Sequence, residues 1–289
     1  MRNSWIWVDN RQKINAARKD MQSSAVISID TEYDSFRYFH EKLCLIQIKT
    51  EKMTYLFDPL DTLDFSFLGI IFSDPELIKI MHAGDNDIRI LKRDYQFEFK
   101  NIFDTHRAAS LLGCHYLSLA SVIFSYLGIE LNKSKQVQRS QWENRPLTDE
   151  QINYAVQDTM YLADLYIRLK GEIKQKGLED NASGIFEKMA EVRWHEKTFD
   201  PGGYLKIKGA KKLSNHQKSC LKTLFRWRFQ TAKETNTACF MILSNRNLVD
   251  LPNSDIHSIE SLKKAGKLSP KKVRIFGREI VEALNQSMQ

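Results

Sequence analysis

The chain has 289 residues, 42% of them apolar and 27% charged. That composition excludes a disordered polyelectrolyte and leaves room for one large domain and a small one. The longest apolar runs, such as Leu68–Phe72, fall far short of the roughly 20 residues of a membrane span, and the net charge is +7.

The charge is unevenly placed. Residues 202–289 hold 17 Lys and Arg against 6 Asp and Glu, a net +11, whereas residues 1–201 hold 26 against 30, a net −4. A basic part that grips a polyanion beside an acidic part that does chemistry fits this split, and so does a merely solvated basic surface. The opening residues MRNSWIWVDNRQK lack the basic start, apolar stretch and cleavage site of a secretory signal, so a cytoplasmic location is expected. Cys44, Cys114, Cys220 and Cys239 show no paired spacing, and the seven histidines form no cluster. A metal site built on nitrogen and sulfur is therefore unsupported, and any metal must be held by oxygen.

In chain order, Ala25–Asp30 (AVISID), Leu43–Lys49, Met53–Asp58 and Leu77–Met81 carry the β-branched and apolar runs of strands. From Thr105 to about His195 apolar residues recur at three- and four-residue intervals, the helical period. An α/β domain is expected. Thr198–Ala210 (TFDPGGYLKIKGA) concentrates Pro, Gly and Lys after this long run, as connectors do. Beyond it, Leu213–Ala232, Asn245–Leu251, Ile256–Lys264 and Pro270–Leu284 predict a small helical bundle of four or five helices. The expected organisation is residues 1–200, a linker at 201–209, and residues 210–289.

Three segments place carboxylates with purpose. In Ser28-Ile29-Asp30-Thr31-Glu32 strand alternation points Asp30 and Glu32 to one face and Ile27 and Ile29 to the other. Two anions so close repel unless a hard cation such as Mg²⁺ or Mn²⁺ lies between them. Taken alone, most Asp-x-Glu pairs are polar strand ends. In His82–Leu91 a strand runs through Gly84 into a helix, where Asp85 serves as N-cap or either Asp complements the helix dipole. His82 reads as a packed residue rather than a ligand. In Leu147–Ile152, Thr148 and Gln151 form a capping box, with Leu147 and Ile152 as its hydrophobic staple. That fixes a helix start and puts Tyr154 and Asp158, four apart, on the same face; a surface pair is the plainer reading.

Together, and in this order, the three segments resemble the exonuclease motifs of the DEDD superfamily, tyrosine branch. The match is Asp30 and Glu32, then His82–Ile88 with Asp87 selected over Asp85, then Tyr154 to Asp158. Resemblance to RNase D extends through Lys42–Ile48, Ile102–Thr105, Ser118–Ala120, Gln138–Leu147 and Tyr204–Gly209. The C-terminal part is similar to an HRDC module, the helical nucleic-acid-binding unit of RNase D and RecQ helicases. Leu224, Trp227-Arg228, Ala232, Ile242–Ser244, Leu248, Leu251-Pro252, Val273 and Phe276-Gly277 carry that likeness. The whole spans roughly residues 20–285. It departs where family members often have a second helical repeat, for which this sequence is too short. It departs again at Lys133–Arg139, a small insertion, with Gln141 where an Asp is common.

The resemblance implies an RNase H-like mixed sheet with two divalent ions, Mg²⁺ or Mn²⁺. Asp30 would bridge the ions, with Glu32 and Asp158 on the one that holds the attacking water and Asp87 on the second. Tyr154 would orient the water. It further implies 3′→5′ trimming of RNA ends, tRNA precursors especially, with release of nucleoside 5′-monophosphates. A DNA exonuclease with the same carboxylates is the alternative, because such a site does not itself read the 2′-hydroxyl. A catalytically silent nucleic-acid scaffold is the other, against which the retention of all five residue types argues. Candidate nucleic-acid contacts are Arg139, Trp142 and Arg145, with Trp142 equally a packing anchor, and Lys263, Lys264, Lys267, Lys271, Lys272, Arg274 and Arg278. Leu224, Trp227 and Phe276 read as core. No membrane partner is expected, and the sequence points to no particular protein partner.

Overall fold

The computed structural model describes residues 4–286. Its two compact units are the chain up to Asp34 with Leu43–His195, and Ser35–Lys42 with the chain from Glu196 onward.

The first unit is built on a six-stranded mixed sheet. In chain order the strands are β1 (Trp5–Val8), β2 (Val26–Asp34), β3 (Lys42–Lys49), β4 (Thr54–Phe57), β5 (Ile78–Met81) and β6 (Ile102–Asp104). Their order across the sheet is β1-β4-β3-β2-β5-β6. The pairs β1–β4, β2–β5 and β5–β6 are parallel, and β3–β4 is antiparallel. Four strands coincide with the expected runs. β1 and β6, of four and three residues, are too short to show an alternation in sequence and gain their strand geometry from a neighbour.

Strand alternation assigns the two faces of the sheet. Ile27, Ile29, Ile46, Ile48 and Phe57 join Ala17, Met21, Leu68, Phe72, Ile88 and Leu91 in one core, so the helices Arg11–Gln22, Phe67–Ser73 and Asp85–Tyr95 cover that face. On the other face Ile80 and Phe103 pack with Ala108, Val122, Leu162 and Leu165. Beside them Cys44, Leu45 and Leu56 pack with Trp142, Leu147, Tyr154 and Ala155. Each fully buried aliphatic side chain contributes about 1.5–3 kcal/mol. This second face receives the Asp149–Met160 helix, and the site lies there.

The second unit has its own core, in which Leu213, Leu221, Leu224, Leu243, Leu248, Leu251, Leu262, Val273 and Ile280 are buried. Beyond Glu196 the described residues contain helices but no strand. Ser214, Ser244 and Ser258 each close a capping box at the head of the helices Asn215–Glu234, Asn245–Asp250 and Ile259–Ala265. Such a cap adds about 1 kcal/mol to its helix. Within the expected linker, Gly203–Lys206 forms a 3₁₀ turn and Ile207 is buried in the second core. Trp227 and Phe276 pack against this core, edge to face at 5.9 Å. Arg228 is buried and donates from one guanidinium nitrogen to the Leu243 carbonyl and to Asn245 Oδ1, both at 2.9 Å, so it is spent on structure. No helix among the described residues is long and apolar enough to cross a membrane.

Candidate active site

β2 delivers Asp30 and Glu32 to the second face of the sheet, opposite Ile27 and Ile29. The Asp149–Met160 helix lies across β2, its start fixed by the Thr148–Gln151 capping box. It contributes Tyr154 and Asp158, both nearly buried. Ligand oxygens of Asp30, Glu32 and Asp158 all fall within 4.8 Å of one another. Three carboxylates drawn together in so small a volume fit a hard divalent cation, which supplies the missing positive charge.

Asp87 enters from the opposite layer and stands beside this trio rather than within it. It occupies the first turn of the Asp85–Tyr95 helix, where the helix dipole favours a carboxylate. The Thr31 hydroxyl, on the core side of β2, donates to Asp87 Oδ1. The turn before this helix is tight: Ala83 has φ +55°, and a Cβ on Gly84 would lie 2.7 Å from the Met81 side chain. Asp104 at the end of β6 secures the turn by accepting from the Gly84 N–H at 3.0 Å, and it also caps the next helix through the Arg107 N–H at 2.8 Å. Asp85 faces outward and pairs with Arg107 at 3.0 Å, while Gly84 holds the N-cap position.

The electrostatics follow from this crowding. Burial, reinforced by Asp87, pushes the Asp30 carboxyl up to about 8, with Lys133 opposing the rise. Glu32 is driven well above the usual carboxylate range by burial and then by Asp30. Asp87 rises to about 6 through burial, held back by the Thr31 hydrogen bond. Burial, aided by Glu32, raises the Tyr154 phenol above its ordinary value, so it stays protonated at neutral pH.

Lys133 is the member of this site that sequence reasoning missed. Its ammonium contacts the Asp158 carboxylate and lies 5.1 Å from the centroid of the Tyr154 ring. It sits in a polar stretch, LNKSKQ, with no local signal separating it from a solvated lysine.

Two candidate nucleic-acid contacts are corrected. Trp142 is 1% exposed, packs against Tyr154, and donates from Nε1 to the Gln138 carbonyl, so its ring is a packing anchor closed to substrate. Arg145 is exposed at the surface, but its guanidinium is already engaged. It donates to both carboxylate oxygens of Asp58 at 2.5 and 2.6 Å, and to the carbonyls of Cys44 and Trp142. Arg139 is exposed, as are Lys263, Lys264, Lys267, Lys271, Arg274 and Arg278, while Lys272 is half-buried.

A carboxylate cluster over a mixed sheet, in a chain that also carries a basic helical unit, has the make-up of a nuclease. Residues 5–174 match the family described as 3′-5′ exonuclease, and residues 217–284 match the HRDC domain. The chain belongs to this 3′-5′ exonuclease family of nuclease hydrolases. It is 30% identical to Ribonuclease D of Shewanella sp. (strain ANA-3) over 96% of its length and 71% of that protein's. It is 32% identical to the Exosome complex component 10 homolog of Drosophila melanogaster over 86% of its length, spanning only 28% of that longer protein. In architecture it is similar to the catalytic core of RRP6 from Trypanosoma brucei, with a TM-score of 0.90 at 23% identity, covering 99% of this chain and 80% of that one.

Proposed function

We propose that this protein is a 3′→5′ exoribonuclease that shortens RNA from its 3′ end, with precursor tRNA ends as the natural class of substrate. The observation that carries the reading is the convergence of Asp30, Glu32 and Asp158 within 4.8 Å, with Tyr154 one helical turn from Asp158. Its likeness to a protein named Ribonuclease D and the HRDC match support RNA as the polymer.

Asp30, Glu32, Asp158 and Asp87 are the residues that would hold two divalent ions, Mg²⁺ or Mn²⁺. Such ions supply positive charge to the attacking and leaving oxygens of phosphodiester hydrolysis. The chain's own contribution is placement. The Tyr154 hydroxyl, kept protonated by burial and by Glu32, is suited to orient a water and unsuited to act as a free base. The ring is held by Trp142 on one side and Lys133 on another. Water adds to phosphorus, the bond to the 3′ oxygen breaks, and the products are a nucleoside 5′-monophosphate and a chain one residue shorter with a new 3′-hydroxyl. We place this work in the cytoplasm.

The test compares 3′-labelled single-stranded RNA with DNA of the same sequence, each with Mg²⁺ or Mn²⁺. Stepwise loss of mononucleotides from RNA is expected. Preferential degradation of DNA would replace the RNA assignment, and inertness towards both with either metal would leave a binding scaffold.

A further inference from the structure

Two aromatic rings of the second unit are exposed side by side. Phe36, two residues beyond β2, is 66% exposed, and Phe240, in the short Cys239–Ile242 helix, is 44% exposed. Their ring centroids lie 4.8 Å apart with an interplanar angle of 47°. The next residue, Met241, is 42% exposed.

Neither ring belongs to the buried core of its segment. The buried positions of the same two segments are filled by Phe39 and Ile242, which form a small core with Ala232. The backbone beneath the pair is nonetheless fastened. Ala238 donates its N–H to the Arg37 carbonyl at 2.9 Å, and His40 donates its N–H to Asn236 Oδ1 at 2.7 Å. Lys197 donates to the Phe39 carbonyl, and the Phe39 ring meets Phe229 edge-on at 5.1 Å. A preorganised aromatic surface loses little freedom when it binds.

Charge complementarity indicates what covers it. The unit formed by Ser35–Lys42 and the chain from Glu196 onward holds 20 Lys and Arg against 9 Asp and Glu, a net +11. Exposed aromatic rings in a positive field are how single-stranded nucleic acid is held without regard to sequence, because every base offers a π face. An enzyme that removes nucleotides one after another needs such indifference. Phe36 is also only four residues along the chain from Glu32, so the segment that presents it continues directly from the strand bearing the acidic residues.

We propose that Phe36 and Phe240 form a stacking platform for bases of the single-stranded RNA on which the enzyme acts. The inference rests on the RNA reading above.

The test is fluorescence anisotropy on the full chain in EDTA, with a short labelled oligoadenylate and, in parallel, an abasic ribose-phosphate oligomer of the same length. Phe36→Ala and Phe240→Ala should each weaken oligoadenylate binding by about 5- to 150-fold, the range for removal of one base–aromatic stack. Binding of the abasic oligomer should hold, and Phe36→Tyr and Phe240→Tyr should restore wild-type affinity. Equal weakening of both oligomers would overturn the proposal by showing a general disturbance. Unchanged oligoadenylate affinity in both alanine variants would overturn it too, leaving a protein as the occupant. Hydrolysis of RNA by the wild-type chain is measured separately, so its absence would count against the RNA reading while stacking is judged on binding alone.

Discussion

The ammonium of Lys133 rests against the carboxylate of Asp158. It is a tethered cation among acidic groups: burial pulls the lysine below its ordinary value, while Asp30 and Glu32 pull it back up. A divalent ion approaching the trio must displace this charge or endure its repulsion, which amounts to a few kcal/mol at contact range near a protein surface. Lys133→Ala should therefore tighten Mn²⁺ binding by about tenfold or more and lower the melting temperature of the metal-free protein. Calorimetric titration with Mn²⁺ checks the first effect, and weaker binding in the variant would refute it.

Asp30→Asn should abolish hydrolysis while leaving the fold intact, because it removes one anion from a cluster whose anions repel. Asp87→Asn should be far more damaging than Asp85→Asn. Asp87 is nearly buried and bonded to Thr31, whereas Asp85 makes a partly exposed pair with Arg107, a kind of pair that contributes about 0–1 kcal/mol. Turnover of the two variants on labelled RNA decides it, and the reverse ranking would move the metal ligand to Asp85.

Tyr154→Phe removes only the hydroxyl, since Trp142 and Lys133 contact the ring itself. Turnover should fall by about 10²-fold or more, the scale of a positioned catalytic group, with substrate affinity little changed. Steady-state kinetics separate the two quantities. A loss confined to KM would mean that the phenol grips substrate instead of placing water.

Lys263, Lys264, Lys267 and Lys271 are exposed on or beside the last two helices. Changing all four to Gln should flatten the log–log dependence of single-strand affinity on salt by about 0.7 for each phosphate that is no longer neutralised. Substitution in place is cleaner than deleting residues 210–289, which would strip Ala232 and Ile242 from Phe39. Identical salt slopes would leave these lysines as a solvated surface.

His82 gives the fold an acid-sensitive point. Leu117 O accepts from its Nε2–H at 3.0 Å, and the Thr105 hydroxyl lies 2.8 Å from Nδ1. Burial, with His106 and Lys133 nearby, lowers the imidazole to about 4. Between that value and the unfolded value near 6.5 the unfolded chain binds the extra proton and the folded chain does not. Stability therefore falls as pH drops through this window, by the linkage relation. Urea unfolding of wild type and His82→Gln at pH 7 and pH 5 should show a smaller pH loss in the variant, and equal losses would assign the acid response to other groups.

What the sequence determined by itself was what depends on neighbours along the chain. The period of two in Val26–Asp34 set Asp30 and Glu32 on one face, and the Thr148–Gln151 box started the helix that aligns Tyr154 with Asp158. Backbone geometry within a few residues decides each of these, so local reading suffices. Tertiary structure alone decided the partnerships between distant positions. Thr31 meets Asp87 across 56 residues, Arg145 meets Asp58 across 87, and His40 meets Asn236 across 196. The same packing buried Trp142, brought Lys133 to Asp158, and joined Ser35–Lys42 to the helical unit. Whether an arginine grips a phosphate or an aspartate, and whether a tryptophan faces substrate or core, depends on which surfaces the sheet and helices bury against each other, and local composition carries no record of that choice.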